Sequence, residues 1–168
     1  MESPMKRMIL AAVLALAAVL PARAEEAIVT YKSIAPDIAI DLARAALNRC
    51  RKDGYQVAVV VLDRFGAPLV EMRDRFAGIG AMDIARGKAW TAVNFSIDSG
   101  EFVKRIKDGT LSPGLASLPK VTPLVGGIII QAGGSIIGGV GVAGAPGGDK
   151  DEACAKAGLE SVQDKLDF

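Results

Sequence analysis

A chain of 168 residues with 20 basic and 19 acidic side chains has a formal net charge of +1, which offers nucleic acid or an anionic membrane no electrostatic purchase. It contains no histidine, so Ser-His-Asp and Cys-His nucleophiles, histidine-based zinc sites and the commonest haem ligand are excluded together. Its two cysteines, Cys50 and Cys154, are too few for a zinc ribbon.

The first residues read as an address label. Lys6 and Arg7 precede an apolar run from Met8 to Leu20, and Pro21 and Ala22-Arg23-Ala24, an A-x-A site, follow. The pattern predicts a signal peptide over residues 1–24, its apolar run too short to span a bilayer comfortably. The expectation is export to the periplasm or medium of one domain, residues 25–168, with no membrane attachment after cleavage. Loss of the signal removes three bases and one acid, leaving a net charge of about −1.

Ser33 is positioned to cap a helix running to about Lys52, with Pro36 in its first turn. At 100° per residue, Ile38, Ala39, Leu42, Ala43, Ala46 and Cys50 share one face, so Cys50 points toward the core. Gly54 stops the helix. Tyr55–Asp63 follows as a strand apolar on both sides, hence central and covered on both faces. Pro68–Asp74 alternates more clearly and reads as a second strand whose Glu71, Arg73 and Asp74 meet water or a ligand.

Asp83–Phe95 reads as a helix with Ala81, Ala85, Ala92 and Phe95 on its apolar stripe. Lys88 falls inside that stripe, either snorkelling to the rim or presenting a cation to an anionic ligand in a cleft. Trp90, the chain's one tryptophan, lies on the polar side and suggests a subunit contact. Asp98 and Glu101 form a candidate capping box opening a short helix to about Lys107. Leu111–Leu124 carries three prolines and reads as a loop with room for one helical turn, a natural pocket wall.

Gly126–Ala157 organises the rest. Ile128–Ile130 and Ile136–Val142 flank Ala132-Gly133-Gly134-Ser135, a hairpin signal, because Gly-Gly supplies the positive φ of a tight turn. Gly139–Gly144 matches the G-x-G-x-x-G dinucleotide fingerprint, but Pro146-Gly147-Gly148 delays the helix that would meet a pyrophosphate. A glycine-rich strand packed closely against a helix is the better reading. Asp149 and Glu152 suggest a capping box for a last helix from Lys150 to about Leu166, whose stripe of Cys154, Ala157, Gly158 and Ser161 would admit another helix closely. If the first and last strands are antiparallel neighbours, Cys50 and Cys154 lie at one edge of the sheet and can form a disulfide.

Four segments carry a family resemblance: Val59–Gly66, Asp83–Ala92, Leu124–Gly127, and Ile137–Gly144 continuing to Asp151–Leu159. With them the chain resembles the GlcG/HbpS-like (haem-binding protein) family, a module also found as the C-terminal domain of PduO-type cobalamin adenosyltransferases. The resemblance implies an α+β, profilin-like fold with a five-stranded antiparallel sheet, helices on both faces, and assembly into homo-oligomers. It further implies a small-molecule ligand, haem or a haem-like tetrapyrrole. A histidine axial ligand cannot be carried over. Met72, Met82, Tyr31, Tyr55 or a cysteine could ligate iron in principle, and Arg73 or Lys88 could meet propionates.

The expected pocket is bordered by the Pro119–Gly127 loop, the second strand near Arg73, and the helix carrying Lys88. Its candidate residues are Lys88, Arg73, Thr122, Gly126, Gly127 and Met82, with no catalytic residue named. Two other classes stay open: an oligomeric accessory protein of a periplasmic pathway, and a small-molecule enzyme with a polar cleft around Asp63, Arg73 and Lys88.

Overall fold

Four antiparallel strands in the order β2-β1-β4-β3 carry the fold. The computed structural model describes residues 28–167 and is compact from Lys32 onward; the expected signal peptide lies outside the described residues. The elements are α1 (Pro36–Lys52), β1 (Ala58–Asp63), β2 (Pro68–Arg73), α2 (Ala81–Phe95), α3 (Ser99–Lys107), a 3-10 turn (Pro113–Ser117), β3 (Gly127–Ala132), β4 (Ser135–Ala143), α4 (Gly148–Glu160) and a last 3-10 turn (Gln163–Lys165). Among the described residues no helix is long and apolar enough to cross a membrane.

The central position of β1 follows from its composition. Val57, Val59 and Val61 pack with α1 and α4, while Ala58, Val60 and Leu62 face α2, so both sides of the strand are dry. The α+β class, the antiparallel sheet and the helices on both faces agree with the sequence. The strand number does not: four strands form among the described residues, not five. Only four segments of the sequence read as strands, and the fifth came from the resemblance alone. Where β4 runs past the end of β1, the Ile34 N–H bonds the Ile137 carbonyl at 3.0 Å, and the chain then turns into α1.

The glycines of β3 and β4 have a steric cause. A Cβ on Gly141 would stand 2.0 Å from the Ala85 carbonyl oxygen, and one on Gly127 would stand 2.2 Å from that of Lys88. The backbone of α2 therefore lies flush on the sheet, as the close-packing reading of the glycine run requires. The hairpin forms as expected, with Gly133 at φ 52° and Gly134 at φ 74°. On the opposite face, Gly158 lets α4 approach α1, its missing Cβ being 2.8 Å from both Ala46 Cβ and the Leu42 carbonyl oxygen. One turn earlier, Cys50 and Cys154 are joined in a disulfide with Cα atoms 5.5 Å apart.

Helix α2 starts at Ala81 rather than Asp83, and three other helix caps differ from the sequence reading. Helix α1 begins at Pro36 with Ala35 as its N-cap, not Ser33. Neither expected capping box forms. The Asp98 carboxylate reaches across to the Ile129 N–H of edge strand β3 at 2.9 Å, and Glu101 pairs with Arg105 at 2.7 Å. Helix α4 starts earlier, after Gly147, and stops at Glu160, short of Leu166; its Glu152 pairs with Lys156 instead. At α3 and α4 a tertiary or helix-surface partner outcompetes the local capping box.

Candidate functional site

Lys88 lies on the face of α2 that the glycine strands draw against the sheet, and its residue is only 2% exposed. Its ammonium donates to Asp151 Oδ2 at 2.6 Å and to the Val142 carbonyl at 2.9 Å. Asp151, in the first turn of α4, is 3% exposed and accepts the Ala145 N–H on its other oxygen at 3.0 Å. Burial pushes the Asp151 carboxyl above the ordinary aspartate value, and Lys88 and the Ala145 N–H offset only part of that. The pair ties α2, β4 and α4 together where three elements would otherwise bury lone polar groups.

Gly126 is shaped by this pair. At φ 121°, its absent Cβ would fall 3.1 Å from Lys88 Nζ and 2.8 Å from Asp151 Cβ. Gly127 follows, its N–H bound to Ser99 Oγ at 2.8 Å, while that hydroxyl donates to the Leu124 carbonyl at 2.7 Å. Buried Ser99 thus pins the loop before β3 to the start of α3.

Above the ion pair opens a cleft of ≈ 600 Å³. Ile84 of α2, Val103 of α3 and Pro123, Leu124 and Val125 of the loop form its apolar wall. The Gly144–Gly148 loop and Asp149 close the other side, and Lys107 stands at the rim. Two of the three expected borders are therefore present: the proline-stiffened loop and the helix carrying Lys88.

The third border, β2 near Arg73, is absent. Arg73 is paired across β1 with Ala58 and donates to the Ala77 carbonyl at 3.0 Å, bracing the turn that follows β2. Met82 is half-buried against the α2-side core. Thr122 borders a separate cleft on the far side of the same loop. Its N–H bonds Thr91 Oγ1 at 2.9 Å. Of the six candidate residues, Lys88, Gly126 and Gly127 come together, and Arg73, Met82 and Thr122 do not join them. The polar cleft around Asp63, Arg73 and Lys88 does not assemble either. Asp63 spends its carboxylate on the Phe65 and Ala67 N–H groups of the β1–β2 turn, at the other end of β1 from Arg73.

Sequence reasoning missed Asp151, Lys107 and the Gly144–Gly148 wall. Asp149 and Asp151 both lie in the first turn of α4, where acidic residues are ordinary, so nothing local sets Asp151 apart. The signal that could have separated them is angular: Asp151, Cys154, Ala155 and Gly158 form the buried stripe of α4.

Comparison with known proteins supplies the context. The family described as "Haem degrading protein HbpS-like" matches residues 34–160. A crystal structure of a double mutant of HbpS from Streptomyces reticuli is 38% identical, with a TM-score of 0.76, covering 85% of this chain and 95% of that one. A crystal structure of a PduOC:heme complex is 27% identical, with a TM-score of 0.72 and 77% and 94% coverage. The corrinoid adenosyltransferase PduO of Salmonella typhimurium is 32% identical over 105 residues, 61% of this chain but 31% of that enzyme's length. With most of its length matched by one family, and the fold shared with HbpS, the chain belongs to the HbpS-like family.

Proposed function

We propose that this protein binds haem or a haem-like tetrapyrrole in the cleft above Lys88 and Asp151. One observation carries the proposal: the cleft sets an apolar wall, Ile84, Val103 and Pro123–Val125, beside a rim lysine, Lys107. That pairing of an apolar wall with a cation suits a macrocycle bearing carboxylates, and ≈ 600 Å³ lies within the usual range of ligand pockets. The family description and the haem complex of PduOC support the same ligand class.

The residues fit the body and propionates of the group better than its iron. The chain has no histidine, and both cysteines are in the disulfide. Met72 and Tyr55 pack against the α1-side core and Met82 against the α2-side core, away from the cleft. Retention therefore rests on apolar contact and on Lys107 pairing with a propionate. The buried Lys88–Asp151 pair serves as a neutral floor, because its charges already satisfy each other. When bound, the group would bring its own redox and oxygen chemistry.

Export belongs to the same proposal, supported by the signal-like start of the sequence and by a disulfide that suits an oxidising compartment. Assembly of several copies is supported by Phe76 and Ile79, which stand 78% and 97% exposed on the loop between β2 and α2.

The test is an absorbance titration of residues 25–168 with haemin. Saturable binding without the bands of bis-histidine coordination is expected, and Lys107→Ala should weaken it roughly three- to tenfold, as an exposed charge-assisted contact would. An unsaturable titration would discard the ligand and leave an accessory protein as the better reading.

A further inference from the structure

Across the Pro119–Pro123 loop from the cleft just described lies a second one, of ≈ 410 Å³, built around Trp90. Its lining joins the β1–β2 turn (Gly66, Pro68), the outer face of α2 (Asp83, Arg86, Gly87, Trp90) and the loop residues Lys120 and Thr122. Each wall is fixed. Gly66, at φ 80°, brings backbone so near the indole that a Cβ there would stand 3.1 Å from Trp90 Cδ1 and 3.3 Å from Nε1. Gly87 leaves room for Thr122, whose Oγ1 would stand 2.0 Å from any Cβ at that position. Buried Thr91 then clamps the loop, accepting the Thr122 N–H at 2.9 Å and donating to the Gly87 carbonyl at 2.8 Å.

The donors within these walls are unequally used. Arg86 is consumed: it bonds Glu71 through Nε at 2.7 Å and Nη2 at 3.0 Å, and Asp83 through Nη1 at 2.8 Å. Among the described residues the Trp90 Nε1–H has no acceptor and Lys120 has no carboxylate partner. Lys120 is also held at φ 69°, a conformation that costs a lysine free energy and that the clamped loop imposes. With Arg86 answered by Glu71 and Asp83, Lys120 is the cation of the lining that has no carboxylate of its own.

We infer that this cleft is a second ligand site, distinct from the proposed tetrapyrrole cleft, and that it takes a planar aromatic carboxylate. The ring would lie against the Trp90 indole, the carboxylate would accept from Lys120, and the free indole N–H is a second donor to the same oxygens. An aliphatic anion lacks the surface to match Trp90, and a neutral arene leaves Lys120 unanswered.

Trp90 is the chain's single tryptophan, so its fluorescence reports on this cleft alone. The protein is titrated with benzoate under red-edge excitation, where benzoate is transparent, beside acetate and benzyl alcohol as the charge-only and ring-only controls. A saturable change with benzoate is expected, at least tenfold tighter than with either control. Lys120→Gly should weaken it several-fold, and because glycine adopts φ 69° freely this variant should be no less stable than the parent. Haemin affinity should be unchanged by saturating benzoate, since the two clefts share no lining residue. Equal responses to benzoate and acetate, no saturation, or a benzoate affinity indifferent to Lys120→Gly would each overturn the site.

Discussion

Removing the Lys88 side chain should damage the fold before it tests a ligand. In Lys88→Ala, the Asp151 carboxylate keeps its Ala145 N–H but loses its cation while remaining about 97% buried, and the Val142 carbonyl loses its 2.9 Å donor. Breaking a buried ion pair from one side costs roughly 3–5 kcal/mol, because the charge left behind has neither water nor a partner. For a domain of this size that lowers the melting temperature by on the order of 10 °C. Asp151→Ala should cost a similar amount, stranding the ammonium instead. The double variant Lys88→Met with Asp151→Asn removes both charges, stays close to the parent volumes and keeps an acceptor for the Ala145 N–H, so it should recover most of the loss. Urea unfolding followed by far-ultraviolet circular dichroism gives all four midpoints. Single variants within about 1 kcal/mol of the parent, or a double variant that loses as much as the two singles together, would refute a buried, mutually dependent pair.

Other consequences follow from the same packing. Reducing the Cys50–Cys154 bridge, which spans 104 residues, should cost about 4 kcal/mol in the chain-entropy account; an unchanged urea midpoint with and without reductant would contradict it. Gly141→Ala puts a methyl 2.0 Å from the Ala85 carbonyl oxygen and 2.8 Å from the Ala89 nitrogen, so α2 must lift off the sheet at a cost of at least about 1–3 kcal/mol. Calorimetry on that variant checks it, and a melting point equal to the parent's would mean α2 does not lie flush. Asp98 and Asp151 both titrate above the ordinary 3.8, chiefly through burial, so the folded state holds their protons more tightly than the unfolded chain does. Their contribution to stability is complete below pH 3.8 and is lost as the pH rises through their raised values. Asp98→Asn, which keeps an acceptor for the Ile129 N–H, should flatten part of that decline in a pH series of urea midpoints; an identical series would refute the assignment.

Much of the architecture was legible because it rests on periodicity and on glycine. The two dry faces of β1 are written in consecutive valines, and the hairpin in Gly133-Gly134. The disulfide could be expected because Cys50 lies on the apolar face of α1 and Cys154 on the small-residue stripe of α4. The helix caps were not legible: the sequence shows that Asp98 and Glu101 are spaced for a box but not that β3 will bring the Ile129 N–H to Asp98. The site was half legible for the same reason. Lys88 was visible as a cation inside an apolar stripe, but its partner lies 63 residues away on α4, and only the packing of three elements brings them together. Arg73 looked poised because it sits on a strand that alternates. In the fold its reach is spent on Ala77, a bond between neighbours in sequence that no pattern announces.

Methyl-resolved NMR of the protein with haemin tests the central claim most directly, because an iron porphyrin shifts and broadens the methyls it lies against. The account predicts that Ile84, Val103, Leu124 and Val125 respond first and saturate together, while Leu42, Leu47 and Val162 of the α1-side core stay unmoved. Perturbations centred on the core residues or scattered over the surface, with the four cleft residues unaffected, would contradict it.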